Sequence, residues 1–426
     1  MIPKFFTRRA GFASLWFLFT IGFSTASAQT DSTPDLPTVI LPKASLAPEE
    51  LAVIVNDADP LSIRIAEYYA EARSIPNQNI IHVNFPIDSN EMNPEAFAKI
   101  RAAVSAKTSK GVQAYALTWI KPYRVGCMSI TTAFAAGFDQ KYCALGCNPT
   151  KPSRYFNTYS KQPFKDFGLR PTMAIAAETF EHAKELIDRG VKSDNSMPPG
   201  VGYLLETSDK ARNVRAVFFP EIVQALGKDV RLERIRADNL VGKSDVLFYF
   251  TGMAKVEHLN TLRFLPGAIA DHLTSTGGQL TDSDQMSSLR WIEAGATASY
   301  GAVVEPCNIL PKFPHPGIVM DRYLSGETLI EAYWKSVAMP GQGIFIGEPL
   351  AKPYGGYQLT RTEDALIIRS RSIPPGRYAI LGAISGVGPY LPIKRGVMVG
   401  YGWQELRLAN DPAIRYYMVV PERGRR

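Results

Sequence analysis

Leu51-Ala52-Val53-Ile54-Val55 is a short, continuously apolar run, and Asn56-Asp57-Ala58-Asp59-Pro60 turns the chain directly after it. An apolar run of that length without polar alternation is the pattern of a strand in a sheet covered on both faces. Asp59 is placed to cap a helix and Pro60 to open it. Ile63, Ile65, Ala66, Tyr69 and Ala72 give that helix an apolar face, and it is expected to stop near Ser74, ahead of Ile75-Pro76. Residues 79–85 read as a second strand, 94–106 as a helix and 113–120 as a third strand. Strand-helix-strand-helix-strand requires crossover connections, which are right-handed and build a parallel sheet.

Outward from this unit the rhythm first breaks. Residues 121–170 hold Cys127, Cys143 and Cys147, several aromatics and few periodic runs. An irregular insertion fastened by a disulfide is expected there, because long stretches without regular structure are usually functional or stapled. The α/β pattern then resumes. Strands are expected over 172–176, 200–205, 246–250, 267–270, 296–304 and 343–346, and helices over 180–189 (capped by Gly190), 209–226, 318–323 and 328–337. From about 357 the period changes to β-like runs over 365–369, 377–384 and 414–420, separated by Pro-Pro-Gly and Gly-rich turns. The expected fold class is α/β: a mostly parallel sheet with helices on both faces over 49–355, then a small C-terminal β-sandwich and basic tail over 356–426.

The chain start has the chemistry of an export signal. Lys4, Arg8 and Arg9 form a basic region, an apolar stretch runs from Ala10 to Phe23, and Ala26-Ser27-Ala28 is the small-x-small pattern that signal peptidase accepts. The apolar stretch is shorter than the roughly 20 residues that span a bilayer. Residues 1–28 are therefore expected to be removed, and 29–48, rich in Pro, Thr and Ser, to serve as a linker. Removal lowers the formal charge from +7 to +4, since the segment carries three bases and no acid. A charge that small on so long a chain argues against nucleic acid. No later stretch reaches spanning length, so no membrane span is expected after cleavage. Four cysteines, Cys127, Cys143, Cys147 and Cys307, in an oxidising compartment favour disulfides, with three pairings open. Cys127, Cys143 and Cys147 are the leading candidates for a bridge, while Cys-x3-Cys without nearby histidines is a poor zinc pattern. No metal and no cofactor are expected.

In a parallel α/β sheet, ligands sit beyond the carboxyl ends of the strands. Thr251 and Gly252, Asp271, His272 and Ser275, and Glu305 and Cys307 follow strands, with His315 a little further on. Ser275, His272 and a carboxylate could form an activated nucleophile. Adjacent strand residues point to opposite faces, however, and 274–278 has turn chemistry. Cys307 with Glu305 and His272 or His315 could form a dyad, against the simpler expectation of a structural disulfide. The candidate catalytic residues are thus His272, Ser275, Glu305 and Cys307. The candidate binding residues are Thr251, Gly252, Asp271 and His315. Trp119, Tyr123, Tyr155 and Phe156 suggest a third possibility, a polymer-binding aromatic surface.

Several blocks resemble an uncharacterised family of exported bacterial proteins found with the exosortase/PEP-CTERM sorting system. They are Leu51 to Asn56, Asp59-Pro60-x-Ser62, Ile65 to Tyr69, Arg73 to Pro76, Leu186 to Gly190, Trp291 to Gly301, Val304 to Cys307, Gly326 to Ala332 and Gly347 to Leu350. More distantly, 245–353 resembles the catalytic half of gingipain-type, caspase-like cysteine peptidases, which often carry an immunoglobulin-like C-terminal domain. In that fold a His-Gly follows one strand and a Cys the next. Here Thr251-Gly252 follows the first, the segment from Gly267 to Ser275 has no cysteine, and Cys307 comes one strand late. The resemblance therefore implies a caspase-like fold without its dyad. The expected role is a non-peptidase binding or accessory protein of the periplasm or cell surface, linked to protein sorting or surface-polymer export. Its expected partners are protein or polymer components of the cell envelope. The alternative is a hydrolase with a re-sited Ser275 or Cys307 nucleophile.

Overall fold

Strand β1 (Thr38–Ile40) falls inside the stretch expected to be a linker. It runs parallel to the last strand of the chain, with Thr38 opposite Tyr416. Val39 and Leu46, few among Pro, Thr and Ser, are both buried. The computed structural model describes residues 36–144 and 146–422. The expected export signal over 1–28, the first part of the expected linker and the tail from Arg423 lie outside the described residues.

The opening unit forms as its pattern requires. Strand β2 (Leu51–Asn56) is buried throughout. Helix α1 (Pro60–Arg73) follows, with the Asp59 carboxylate accepting from the Leu61 N–H and Ser74 ending it at φ 53°. Strand β3 (Ile80–Val83) lies parallel to β2. Then come strand β4 (Glu91–Met92), helix α2 (Pro94–Lys107) and strand β5 (Ala114–Leu117), which flanks β2 on its other side.

The insertion is more regular than its composition implies. Strands β6 (Arg124–Val125) and β7 (Met128–Ser129) form a small sheet with β4, and helices α3 (Ile130–Ala136) and α4 (Pro163–Phe167) follow. Helix α3 is buried from Ile130 to Ala135, so it has no polar face to give it a helical period.

The second half contains strand β8 (Thr172–Ala174), helix α5 (Phe180–Ser193), strand β9 (Val201–Glu206), helix α6 (Phe219–Leu226) and strand β10 (Arg231–Arg236). Strands β11 (Val246–Thr251) and β12 (Phe264–His272), helix α7 (Leu289–Glu293) and strand β13 (Ala298–Ala302) come next. Helices α8 (Pro316–Leu324) and α9 (Leu329–Ser336) and strand β14 (Gly343–Gly347) complete it. One ten-stranded sheet results, in the order β10-β9-β11-β12-β13-β14-β8-β5-β2-β3. Neighbours from β10 to β13 are parallel, as are those from β8 to β3. Strand β14 is antiparallel to β13 over five residue pairs and meets β8 at the single pair Ile346–Ala174. The sheet is thus mixed, and the last strand of the α/β body sits in its middle, between two parallel groups.

A buried ion cluster ties these groups together. Arg73, at the end of α1, donates from Nε to Glu348 Oε1 at 3.0 Å and reaches Glu348 Oε2 and Asp194 through its terminal nitrogens. Glu348 packs onto α5 at Gly190, where an added Cβ would lie 2.5 Å from Glu348 Cγ. This corrects the expected cap: α5 passes through Gly190 and ends at Ser193, and the glycine is required for packing.

Strands β15 (Gln358–Arg361), β16 (Ala365–Ser370), β17 (Gly376–Ala383), β18 (Leu391–Val399), β19 (Gln404–Ala409) and β20 (Tyr416–Pro421) form two further sheets, β1-β20-β17-β18 and β15-β16-β19. Val39, Tyr378, Ile380 and Val419 from the first and Leu366, Ile368, Leu406 and Leu408 from the second belong to one buried cluster. Full burial of such side chains contributes about 1.5–3 kcal/mol each. No helix among the described residues is long and apolar enough to cross a membrane.

Candidate functional site

Strands β11 and β12 run parallel with Thr251 opposite His272, so the candidate residues after them share one edge of the sheet. They divide into a buried floor and an open groove above it.

The floor holds Thr251, Asp271 and His272, each 1–2% exposed. The short 3-10 helix after β9 (Asn213–Phe218) delivers Arg215, whose Nη1 lies 2.6 Å from Asp271 Oδ1 and whose Nη2 donates to the Thr251 carbonyl at 2.8 Å. Burial raises the Asp271 pKa and the Arg215 charge opposes that rise. Gly252 is needed for the same close approach, because a Cβ there would lie 1.9 Å from the Arg212 carbonyl oxygen. The Trp291 indole N–H donates to His272 Nδ1 at 2.8 Å, which leaves the proton on Nε2, where it is donated to the Met286 carbonyl at 3.1 Å. Burial pushes the His272 pKa down to about 3; the Met286 carbonyl opposes this, and the charges of Arg215 and Arg212 add to it. The imidazole is neutral, with both nitrogens engaged, and has no free lone pair for a proton from Ser275.

The groove encloses about 310 Å³ and is lined by Ser275, Glu305 and Cys307 together with Cys147, Arg212, Leu273, Thr274 and Phe313. The Gln285 side-chain oxygen fixes its rim by accepting from the Ser275 N–H at 3.0 Å and from the Thr274 hydroxyl. Arg212 donates to the Thr274 hydroxyl at 3.1 Å and to Asp209 at 2.9 Å, which aims a cation along one wall. Glu305 is exposed, and its Oε1 accepts from the Cys307 N–H at 2.7 Å, holding Cys307 at φ 54°. Cys307 is bonded to Cys147 and Cys127 to Cys143, each pair with Cα atoms 5.5 Å apart. Of the three open pairings this is the one formed, so Cys307 carries no thiol.

Ser275, Glu305 and Cys307 are therefore brought together, whereas Thr251, Asp271 and His272 lie beneath them as support. His315 is elsewhere: it caps α8, with Nδ1 accepting from the Ile318 N–H at 3.3 Å, and its ring packs 4.3 Å from that of Phe218. Burial lowers its pKa. Trp119, Tyr123 and Tyr155 are buried, so they cannot form a polymer-binding surface. Arg212, Asp209 and Gln285 were not legible as site residues, because each reaches the groove through a loop whose path is set by tertiary contacts. Among the described residues no group of three or more His, Cys, Asp or Glu is arranged to hold a metal ion.

No family model matches this chain, and no curated protein matches it. Among solved structures it is similar to one described as a protease, with 11% identity over 86% of this chain and 98% of that one and a TM-score of 0.42. It is similar to the Arg-specific cysteine proteinase gingipain R (RgpB), with 10% identity over 87% of this chain and 94% of that one and a TM-score of 0.42. The complex of the Porphyromonas gingivalis RgpB pro- and mature domains gives 10% identity over 85% and 94%, with a TM-score of 0.41. Identities and scores this low carry no residue role across to this chain.

Proposed function

We propose that this is an exported binding or accessory protein on a caspase-like scaffold, with the strand-end groove as its contact surface and no peptidase turnover. The observation behind this reading is the state of the two residues a thiol dyad would use. The Cys307 sulfur is bonded to Cys147, and both His272 nitrogens are engaged. A cysteine nucleophile requires a thiolate and a base within hydrogen-bond reach, and neither condition is met. Two disulfides using all four cysteines agree with an oxidising compartment and with the export signal. The order of strands and helices over 245–353 supports the caspase-like scaffold, and the two packed C-terminal sheets read as its appended β-sandwich. The link to exosortase-type sorting rests on the sequence blocks and makes an envelope protein or polymer the partner.

The test is a screen of the exported, oxidised protein against Arg-, Lys- and Asp-directed peptide substrates, with and without a thiol-reactive inhibitor. No turnover is expected. Turnover abolished by Ser275→Ala would replace this reading with a serine hydrolase, and turnover abolished by Cys307→Ala would show a working thiol. Glu305→Lys should weaken capture of a purified envelope partner without unfolding the protein, the lost acceptor for the Cys307 N–H costing about 1 kcal/mol at this exposed position.

A further inference from the structure

A second cleft, of about 210 Å³, opens between the α/β body and the C-terminal sheets, and it shares no residue with the strand-end groove. Its walls come from the segment before α4 (Tyr159, Lys161), the end of α8 (Arg322, Ser325), the turn from β16 to β17 (Arg371 to Pro375) and the turn from β18 to β19 (Gly400 to Gly402).

Two tyrosines at this cleft are left open. Tyr159 is 60% and Tyr401 73% exposed, with ring centroids 6.0 Å apart, and the Arg322 guanidinium lies 4.0 Å over the Tyr159 ring. Beside them are two arginines, each only 5% exposed. Arg322 donates from Nη2 to Asn157 Oδ1 at 2.8 Å, but its Nε makes no hydrogen bond. Arg371 has Asp229 Oδ2 3.2 Å from Nη1 as an ion pair, yet neither that nitrogen nor Nε makes a hydrogen bond. Glu327, the carboxylate that lines the same cleft, is already neutralised by its own cations. Glu327 is held between Lys161 at 2.7 Å and Lys335 at 2.8 Å, and burial raises the Asp321 pKa against the charges of Arg322 and Arg371.

Both guanidinium side chains line the cleft, and a planar carboxylate is the anion a guanidinium matches best. Exposed tyrosine faces at a cleft suit a flat-faced ring with an apolar side and a hydroxylated edge. We propose that this cleft binds an acidic saccharide of the uronate class. The sugar carboxylate is directed to the Arg322 and Arg371 wall, and the ring face lies against Tyr159 and Tyr401.

Calorimetric titration of the intact protein tests this, with trigalacturonate, its methyl ester, maltotriose and acetate as probes. Trigalacturonate should bind saturably, the ester at least about tenfold more weakly (roughly 1.4 kcal/mol), and maltotriose and acetate without saturation. Tyr401→Ala removes an exposed ring, so the protein should fold normally and lose about tenfold in affinity. Arg322→Gln should lose the preference for the acid over its ester. Glu305→Lys, in the other groove, should bind trigalacturonate as the unaltered protein does. The proposal is overturned by absence of saturable binding, by equal affinity for acid and ester, by unchanged affinity in Tyr401→Ala, or by loss of binding in Glu305→Lys.

Discussion

His272 combines a reactive side chain with an environment that removes its reactivity. With a folded pKa of about 3, it lies well below the unfolded value of roughly 6.5. The unfolded chain therefore binds the proton more readily. The stability contributed by the neutral ring is complete above pH 6.5 and declines as pH falls toward 3, by up to about 1.4 kcal/mol per pH unit. Urea unfolding at pH 7, 6 and 5 should show a shallower loss of stability in His272→Gln than in the unaltered protein. Coincident slopes would mean that the ring titrates normally. The neighbouring Arg215–Asp271 pair has a different consequence. Arg215→Met leaves a buried carboxylate uncompensated and should cost about 3–5 kcal/mol by the same measurement. Ser275→Ala, half-exposed in the groove, should stay within about 0.5 kcal/mol.

At the scale of elements, α5 carries an inverted propensity effect. Alanine is ordinarily better than glycine inside a helix by about 1 kcal/mol. Here a Cβ at position 190 would strike the Glu348 side chain and push its carboxylate off Arg73. Gly190→Ala should therefore destabilise, by roughly 1–3 kcal/mol as overpacking does, and thermal melting would show it. A rise in melting temperature would mean that the Arg73–Glu348 contact is dispensable. The strands that pattern reading missed have a shared cause. Strand β10, Arg231-Leu232-Glu233-Arg234-Ile235-Arg236, and strand β18 lie at sheet edges with largely exposed side chains, so little apolar alternation marks them.

Across the whole molecule, the two disulfides close loops of very different span. Cys127 and Cys143 are 16 residues apart and Cys147 and Cys307 are 160 apart. In the chain-entropy picture these closures contribute about 3 and roughly 5 kcal/mol. Denaturant titrations of the paired Cys→Ser variants should therefore show the larger loss for Cys147/Cys307, and that variant should also loosen the wall of the strand-end groove. Equal losses would mean that the long closure is already restrained in the unfolded chain.

What short-range chemistry controls could be read directly from the order of residues. The run 51–55, the Asp59–Pro60 helix start, the stop at Ser74 and the alternation of strand and helix were legible because propensity, capping and burial act within a few residues. The region of the groove was legible too, since residues after parallel strands share an edge. The remaining features depend on contacts between distant parts of the chain. The placing of β14 between β13 and β8, the pairing of β1 with β20, the bond from Cys307 to Cys147, and the two hydrogen bonds that fix His272 all join residues distant in the chain. Their energies depend on which groups the packed core brings into contact, and no local pattern records that.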